Sequence, residues 1–449
     1  MSLQTNSSVQ ISLSEVLAAL SHALDLTEGQ PLGHTIRTCL IGMRIAEELS
    51  LPAEERSALY YALLLKDAGC SSNAARMAAL FGSDDRHVKP RMKVVDWHDG
   101  FRLALATARN VGVGQSIFER FRHFMAIART EGMTQDLIAV RCERGASIAR
   151  QLGFPQETVE AVRSLDEHWC GLGYAQGLKG DEIPLLARIA NLAQTLEATH
   201  DVHGPAVALR VAKERRGSWF DPKLVDIVDS WKNDAQWWRS LRAPDARERL
   251  VSAEPADQLR FIDDDGLDEI ALAFSDIIDA KSPYTYRHSS RVAEYARVLA
   301  IRLGFDPEEQ RRIFRAGLLH DIGKLGVSNT ILDKDGAPTP AEWQQIRQHP
   351  KFTLSILSQV NAFGAFAWTA ALHHEKLDGS GYPWGLKAPQ LDQAARILTV
   401  ADIYDALTTD RPYRAGMSHE KALGILRADR GTKLCAETLD VCDDIREFN

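Results

Sequence analysis

Apolar residues recur at three- and four-residue intervals along most of the chain, as in Ile41–Ile45–Leu49, Val292–Tyr295–Leu299 and Ile346–Phe352–Ile356. That spacing keeps one face of a helix apolar. Alternating strand patterns are scarce, and glycine and proline cluster where helices would break, at Gly153-Phe154-Pro155 and Gly304-Phe305-Asp306-Pro307. The pattern predicts an all-α fold. Its longest apolar run, Ala58 to Leu65, has the length of a buried helix segment. A membrane helix needs roughly 20 such residues, so no membrane insertion is expected.

The helical pattern is also duplicated. Sliding the chain by 254 residues lays His34 on His288, Arg37 on Arg291, Leu64-Leu65 on Leu318-Leu319 and Asp67 on Asp321 without a gap. A second window, at 208 residues, lays Gly171-Leu172-Gly173-Tyr174 on Gly379-Ser380-Gly381-Tyr382 and Ala187-Arg188-Ile189 on Ala395-Arg396-Ile397. Two collinear ungapped windows indicate tandem helical bundles. The change of offset places about 46 extra residues in the first copy, within Ser83–Thr130. Expected boundaries are a first domain over 1–245, a charged linker over 246–264 and a second domain over 265–449.

Composition narrows the partners. The 449 residues carry a formal charge of −8, so no basic footprint points to long nucleic acid. The six cysteines form no CxxC pair, which removes the usual thiolate zinc motifs. A polar N-terminus without a signal-peptide core predicts a cytoplasmic protein.

The chemistry concentrates in the second copy. Of six histidines after residue 260, five fall at His288, His320, His349, His373 and His374, accompanied by Asp321 and Asp402. Singly, each has a bland explanation; an isolated helical histidine is usually structural, and Asp402 alone reads as a cap. As a set they are candidate metal ligands. Imidazole with carboxylate, and no thiolate, suits Fe, Mn, Ni or Zn. Asp321 can bridge two ions about 3.5–4 Å apart, an arrangement that activates water and offsets phosphate charge. Lys324, about one helical turn beyond, is placed to meet a phosphate oxygen, making Asp321 and Lys324 the candidate catalytic pair. The loop Asp378-Gly379-Ser380-Gly381-Tyr382-Pro383 follows the histidine pair. Its glycines permit close backbone approach to a ligand. Lys324, Gly381, Tyr382, Pro383, Arg411 and Arg414 are the candidate substrate-binding residues, the arginines for phosphate or a guanine edge.

Over roughly residues 265–430 these motifs resemble the HD-GYP family of cyclic di-GMP phosphodiesterases. The resemblance rests on Lys281-Ser282-Pro283-Tyr284-Thr285 with His288, His320-Asp321-Ile322-Gly323-Lys324, His349, His373-His374-Glu375, Gly381-Tyr382-Pro383, Ala401-Asp402-Ile403-Tyr404-Asp405-Ala406-Leu407 and Arg411-Pro412-Tyr413-Arg414. It implies an all-helical domain with two or three metal ions, often iron or manganese. The implied reaction takes cyclic di-GMP to linear pGpG, and in some members on to GMP. Three-metal members have a Glu where this chain has Tyr284, so two divalent ions and pGpG are expected. The alternatives are another cyclic dinucleotide such as 3′,3′-cGAMP as substrate, or a receptor with little turnover.

In the first copy His34 and Asp67 remain, but His320 corresponds to Lys66, Lys324 to Cys70, His349 to Arg141, His373-His374 to Leu165-Asp166 and Asp402 to Gln194. This copy is expected to hold no metal and to serve in packing or homodimerisation. The alternative has Lys66 and Arg141 recognising an anion or nucleotide.

Overall fold

The computed structural model describes residues 11–443 and 445, except 94, 96–98, 130–132, 175 and 411–414. Almost all regular structure is helical; among the described residues the strands are Ile11–Ser12 and Phe261–Ile262, paired antiparallel. The chain divides into two compact units, Met1–Asp265 and Gly266–Asn449. Residues Ala246–Ala253 form a helix with Leu250 fully buried, and Phe261–Ile262 closes the strand pair with Ile11–Ser12. Leu250 and Phe261–Ile262 thus join this segment to the first unit.

In the first unit, the helix Ala53–Leu65 is buried on every side from Ser57 onward, as its unbroken apolar run requires. It packs against His34–Glu48 and Gln156–Arg163, while Leu185–His203 crosses His34–Glu48. The extra residues of this copy form the helices Asp85–Lys93, Gly100–Asn110 and Ile117–Arg129. In the second unit, His288–Arg302 packs on both Pro307–Leu319 and Gln393–Thr408. The pattern Ile346–Phe352–Ile356 spans two helices rather than one, Pro340–Ile346 and His349–Leu357. Pro350 lies in the first turn of the second, where its missing N–H costs nothing, whereas inside one continuous helix it would remove a hydrogen bond.

The duplication recurs as matched internal contacts. Asp25 accepts from the Thr35 N–H and hydroxyl at 3.0 and 2.7 Å, and Asp279 accepts from the Ser289 N–H and hydroxyl at 3.2 and 2.7 Å. Glu167 accepts from the backbone N–H groups of Gln176 and Gly177, and Glu375 from those of Trp384 and Gly385. A Cβ at Gly69 would land on the carbonyl of Arg141, and one at Gly323 on that of His349. These scaffolds are the same. At these positions the backbone support is retained while the groups presented differ.

Candidate metal centre

Three helices of the second unit end at the same place. Pro307–Leu319 stops before His320, Pro340–Ile346 shortly before His349, and Gly364–Ala371 shortly before His373. The last carbonyls of a helix lack intrahelical partners. Each histidine satisfies one through Nδ1: His320 donates to Gly317 O, His349 to Ile346 O and His373 to Ala370 O, all at 2.7 Å. A carbonyl only accepts, so Nδ1 carries the proton and Nε2 is left with a lone pair. His288 is fixed differently, its Nδ1 on Asp405 Oδ2 at 2.7 Å, with Asp405 Oδ1 held by Arg291 Nε at 2.6 Å. The helix end moves Asp321 and Lys324 out of the continuous helix expected from sequence; they sit at a tight 3-10 turn, Ile322–Gly326.

The lone pairs converge in two groups. His288 and His320 bring Nε2 to 3.5 and 3.3 Å from Asp321 Oδ2, while His349 and His373 bring Nε2 to 3.4 and 3.6 Å from Asp321 Oδ1. Asp402 repeats the division, with Oδ1 at 3.4 Å from His288 Nε2 and Oδ2 at 3.6 Å from His374 Nδ1. All seven expected ligands are therefore brought together, and each carboxylate straddles both groups.

These residues fit bound cations. His349 Nε2 and His373 Nε2 face each other at 3.2 Å, although both rings spend their proton on a carbonyl. Two lone pairs at that distance repel unless a positive charge lies between them. His320 Nε2 and Asp321 Oδ1 are buried with no hydrogen-bond partner among the described residues. Burial drives His349 down to about 3 and also lowers His373 and His374, so these imidazoles are neutral, the form that ligates. Burial opposes the charge on Asp321, but the Lys324 ammonium beside it helps hold its carboxyl well below the usual range. Three helix C-termini, each the negative end of its dipole, add attraction for cations.

The remaining candidates divide. Lys324 donates to Asp321 Oδ2 at 2.5 Å, and its side chain remains 24% exposed. Gly381, Tyr382 and Ser380 line a cavity of about 380 Å³ beside His373 and His374. A Cβ on Gly381 would lie 2.5 Å from Glu375 Cα, so only glycine fits there. Pro383 follows in the same loop, and Glu375 fixes the loop's exit by accepting from Trp384, Gly385 and Leu386 at 2.8, 3.2 and 2.9 Å. Arg411 and Arg414 lie outside the described residues. Sequence reasoning missed Arg347 and Lys376, which line the same cavity, and Arg347 lies 5.2 Å from the Tyr382 ring centroid. Proximity to His349 and His374 in the chain was the available signal. Tyr284, at the three-metal glutamate position, is 37% exposed and offers no carboxylate.

In the first unit the corresponding place is filled by side-chain cations. Lys66 pairs with Asp67 and lies 3.2 Å from His34 Nε2, while Lys93 pairs with Glu28 at 2.7 Å and Asp67 at 3.5 Å. Arg141 pairs with Asp166. These cations are neutralised internally, which removes the basis for anion recognition by Lys66 and Arg141. His34 keeps its support, with Nδ1 on Glu197 and Arg37 Nε on the same carboxylate at 2.5 Å. His168 stacks on Trp219 with centroids 4.0 Å apart.

A model of the HD domain matches residues 126–224 and 273–437, one stretch in each unit. The 3′3′-cGAMP-specific phosphodiesterase 3 of Vibrio cholerae is 44% identical over 95% of this chain and 92% of its own. A crystal structure of the V. cholerae cyclic GMP-AMP-specific phosphodiesterase V-cGAP3 superposes with a TM-score of 0.67, at 37% identity, over 98% of this chain and 99% of that one. The cyclic di-GMP phosphodiesterase PA4108 of Pseudomonas aeruginosa is 40% identical over 31% of this chain and 34% of its own. Helical architecture, paired histidine–aspartate groups and this likeness over nearly the whole length agree: the chain belongs to the HD-domain family, in its HD-GYP form.

Proposed function

We propose that this chain hydrolyses cyclic dinucleotides at the second unit's metal centre, with 3′3′-cGAMP the preferred substrate and cyclic di-GMP the weaker one. The observation that carries the reading is the bare His349–His373 nitrogen pair beside an aspartate whose two oxygens face different histidine groups. The substrate preference is supported by likeness to the V. cholerae cGAMP-specific enzyme along almost the entire chain, whereas likeness to PA4108 covers about a third of it. This departs from the substrate expected from the motifs alone, which do not distinguish one purine from another.

Two divalent ions, iron or manganese by the family resemblance and nickel or zinc also compatible with the ligand chemistry, would be held by His288, His320, His349, His373, His374, Asp321 and Asp402. Bound there, they supply an activated water and charge neutralisation for the attacked phosphate. The chain's own residues do the positioning. Asp321 keeps its charge because the Lys324 ammonium adjoins it, and Asp405 holds His288 in one tautomer. Arg347 and Lys376 offer cations at the cavity where the dinucleotide's phosphates and bases would lie, against Tyr382. Cleavage of one P–O bond by water opens the ring to a linear dinucleotide, the expected main product with two ions.

Turnover of both cyclic dinucleotides should be measured on one metal-analysed sample. The expectation is a kcat/KM for 3′3′-cGAMP at least about tenfold higher, with two metals per chain. Reversed values would assign cyclic di-GMP instead, equal values would overturn the preference for 3′3′-cGAMP, and full metal occupancy with no turnover would leave a receptor.

A further inference from the structure

The first unit keeps a cavity of about 170 Å³ that the proposed catalysis does not use. Its size is comparable to an engineered cavity of about 150 Å³ that takes up benzene. The floor lies where the second unit gathers its ligands: Arg141, Asp166 and Gln194 line it and correspond to His349, His374 and Asp402. The inserted helices add an apolar wall, with Leu103 from Gly100–Asn110 and Ile127 from Ile117–Arg129.

The charged groups of this cavity are already matched. Lys89 lies 3.3 Å from Glu28 and 3.6 Å from Asp85, Lys93 lies 2.7 Å from Glu28, and Arg141 is paired with Asp166. A phosphate could enter only by breaking buried ion pairs. Lys93 Nζ and the Glu28 oxygens lack a well-directed hydrogen bond but answer each other as an ion pair, so among the uncharged lining groups of the described residues the unmet atoms are acceptors. Asn73 and Gln194 both line the cavity, each is 7% exposed, and their carbonyl oxygens lack a hydrogen-bond partner among the described residues. Apolar walls with two unanswered acceptors call for a ligand with an apolar body and a donor.

We propose that the first unit binds a small uncharged molecule, largely apolar and bearing an N–H or O–H donor, in the cavity that its relic of the metal pocket encloses. The loss of ligands there has changed the specificity of the site from cations and phosphates to a neutral organic molecule.

Indole and 1-methylindole test this on the full-length chain, because they share a body and differ in the donor. Calorimetry and saturation-transfer NMR should show saturable indole binding at one site, with 1-methylindole at least tenfold weaker. In Gln194→Leu and Asn73→Leu together, that ratio should fall below twofold. Leu103→Trp, which fills the cavity, should remove indole binding, and Ile127→Phe serves the same purpose should Leu103→Trp lower the melting temperature. No saturable binding up to 5 mM would overturn the proposal. So would equal binding of the two indoles, indole binding that survives a folded cavity-filling variant, or a saturable response to inorganic phosphate that such a variant abolishes.

Discussion

Asp321 divides its two oxygens between two histidine groups, so its replacement should affect both at once. Asp321→Asn keeps the shape and removes the charge; we expect kcat/KM to fall at least about 1000-fold and metal content to fall with it. Retained metal with retained hydrolysis would refute the assignment. Asp405 acts one step back, through His288. Asp405→Asn should weaken metal affinity or activity by about 10- to 100-fold, read by titrating metal into the stripped chain; an unaltered affinity would make the contact merely structural. The two lysines beside the two aspartates should separate cleanly. Lys66→Met leaves the fully buried Asp67 short of a partner and should cost about 3–5 kcal/mol in urea unfolding. Lys324→Met, at a side chain 24% exposed, should slow turnover with a much smaller loss of stability. The clustering of the seven candidate ligands was legible in the sequence because residues of the right chemistry coincided in one copy and not in the other. The partner of Lys324 was not, because chain spacing says how far a side chain can reach but not which oxygen is nearest.

At the level of elements, the centre is organised by where helices stop. His320, His349 and His373 each cap a carbonyl three residues back, and no hydrophobic period records that arrangement. The sequence suggested a histidine–aspartate pair inside a helix; in the structure the helix ends there so that Nδ1 and Nε2 can face opposite ways. The insertion was legible as a shift of offset, but its three helices and the cavity they help enclose were not, since an apolar face does not name what it covers. One of those helices, Asp85–Lys93, is tied to Leu13–Glu28 by Lys89 and Lys93 on Glu28. Burial alone would raise the Glu28 carboxyl, yet Lys93 and Lys89 hold it well below its usual 4.5. A depressed carboxylate stabilises the folded state fully above its unfolded value and loses that contribution as pH falls below it. The first unit should therefore weaken as pH drops below about 4.5, and Glu28→Gln should flatten the fall of its melting temperature on acidification below that pH while leaving it unchanged between pH 6 and 5. An unchanged slope would place the acid sensitivity elsewhere.

Over the whole molecule, no helix among the described residues is long and apolar enough to cross a membrane, and the two units repeat one scaffold. Matching contacts at Asp25 and Asp279, at Glu167 and Glu375, and at Gly69 and Gly323 survive although most ligands of the first copy are gone. Fold and chemistry have thus been conserved separately within one chain. Lys66 makes the difference concrete. Its ammonium is bonded to the chain and cannot diffuse away, whereas an ion held by His288 and its neighbours exchanges with the surrounding medium. A chelator should therefore lower the melting of the second unit and leave that of the first where it was, as scanning calorimetry with and without added metal would record. In a cell starved of metal, one half of this protein would keep its internal charge balance and the other would not.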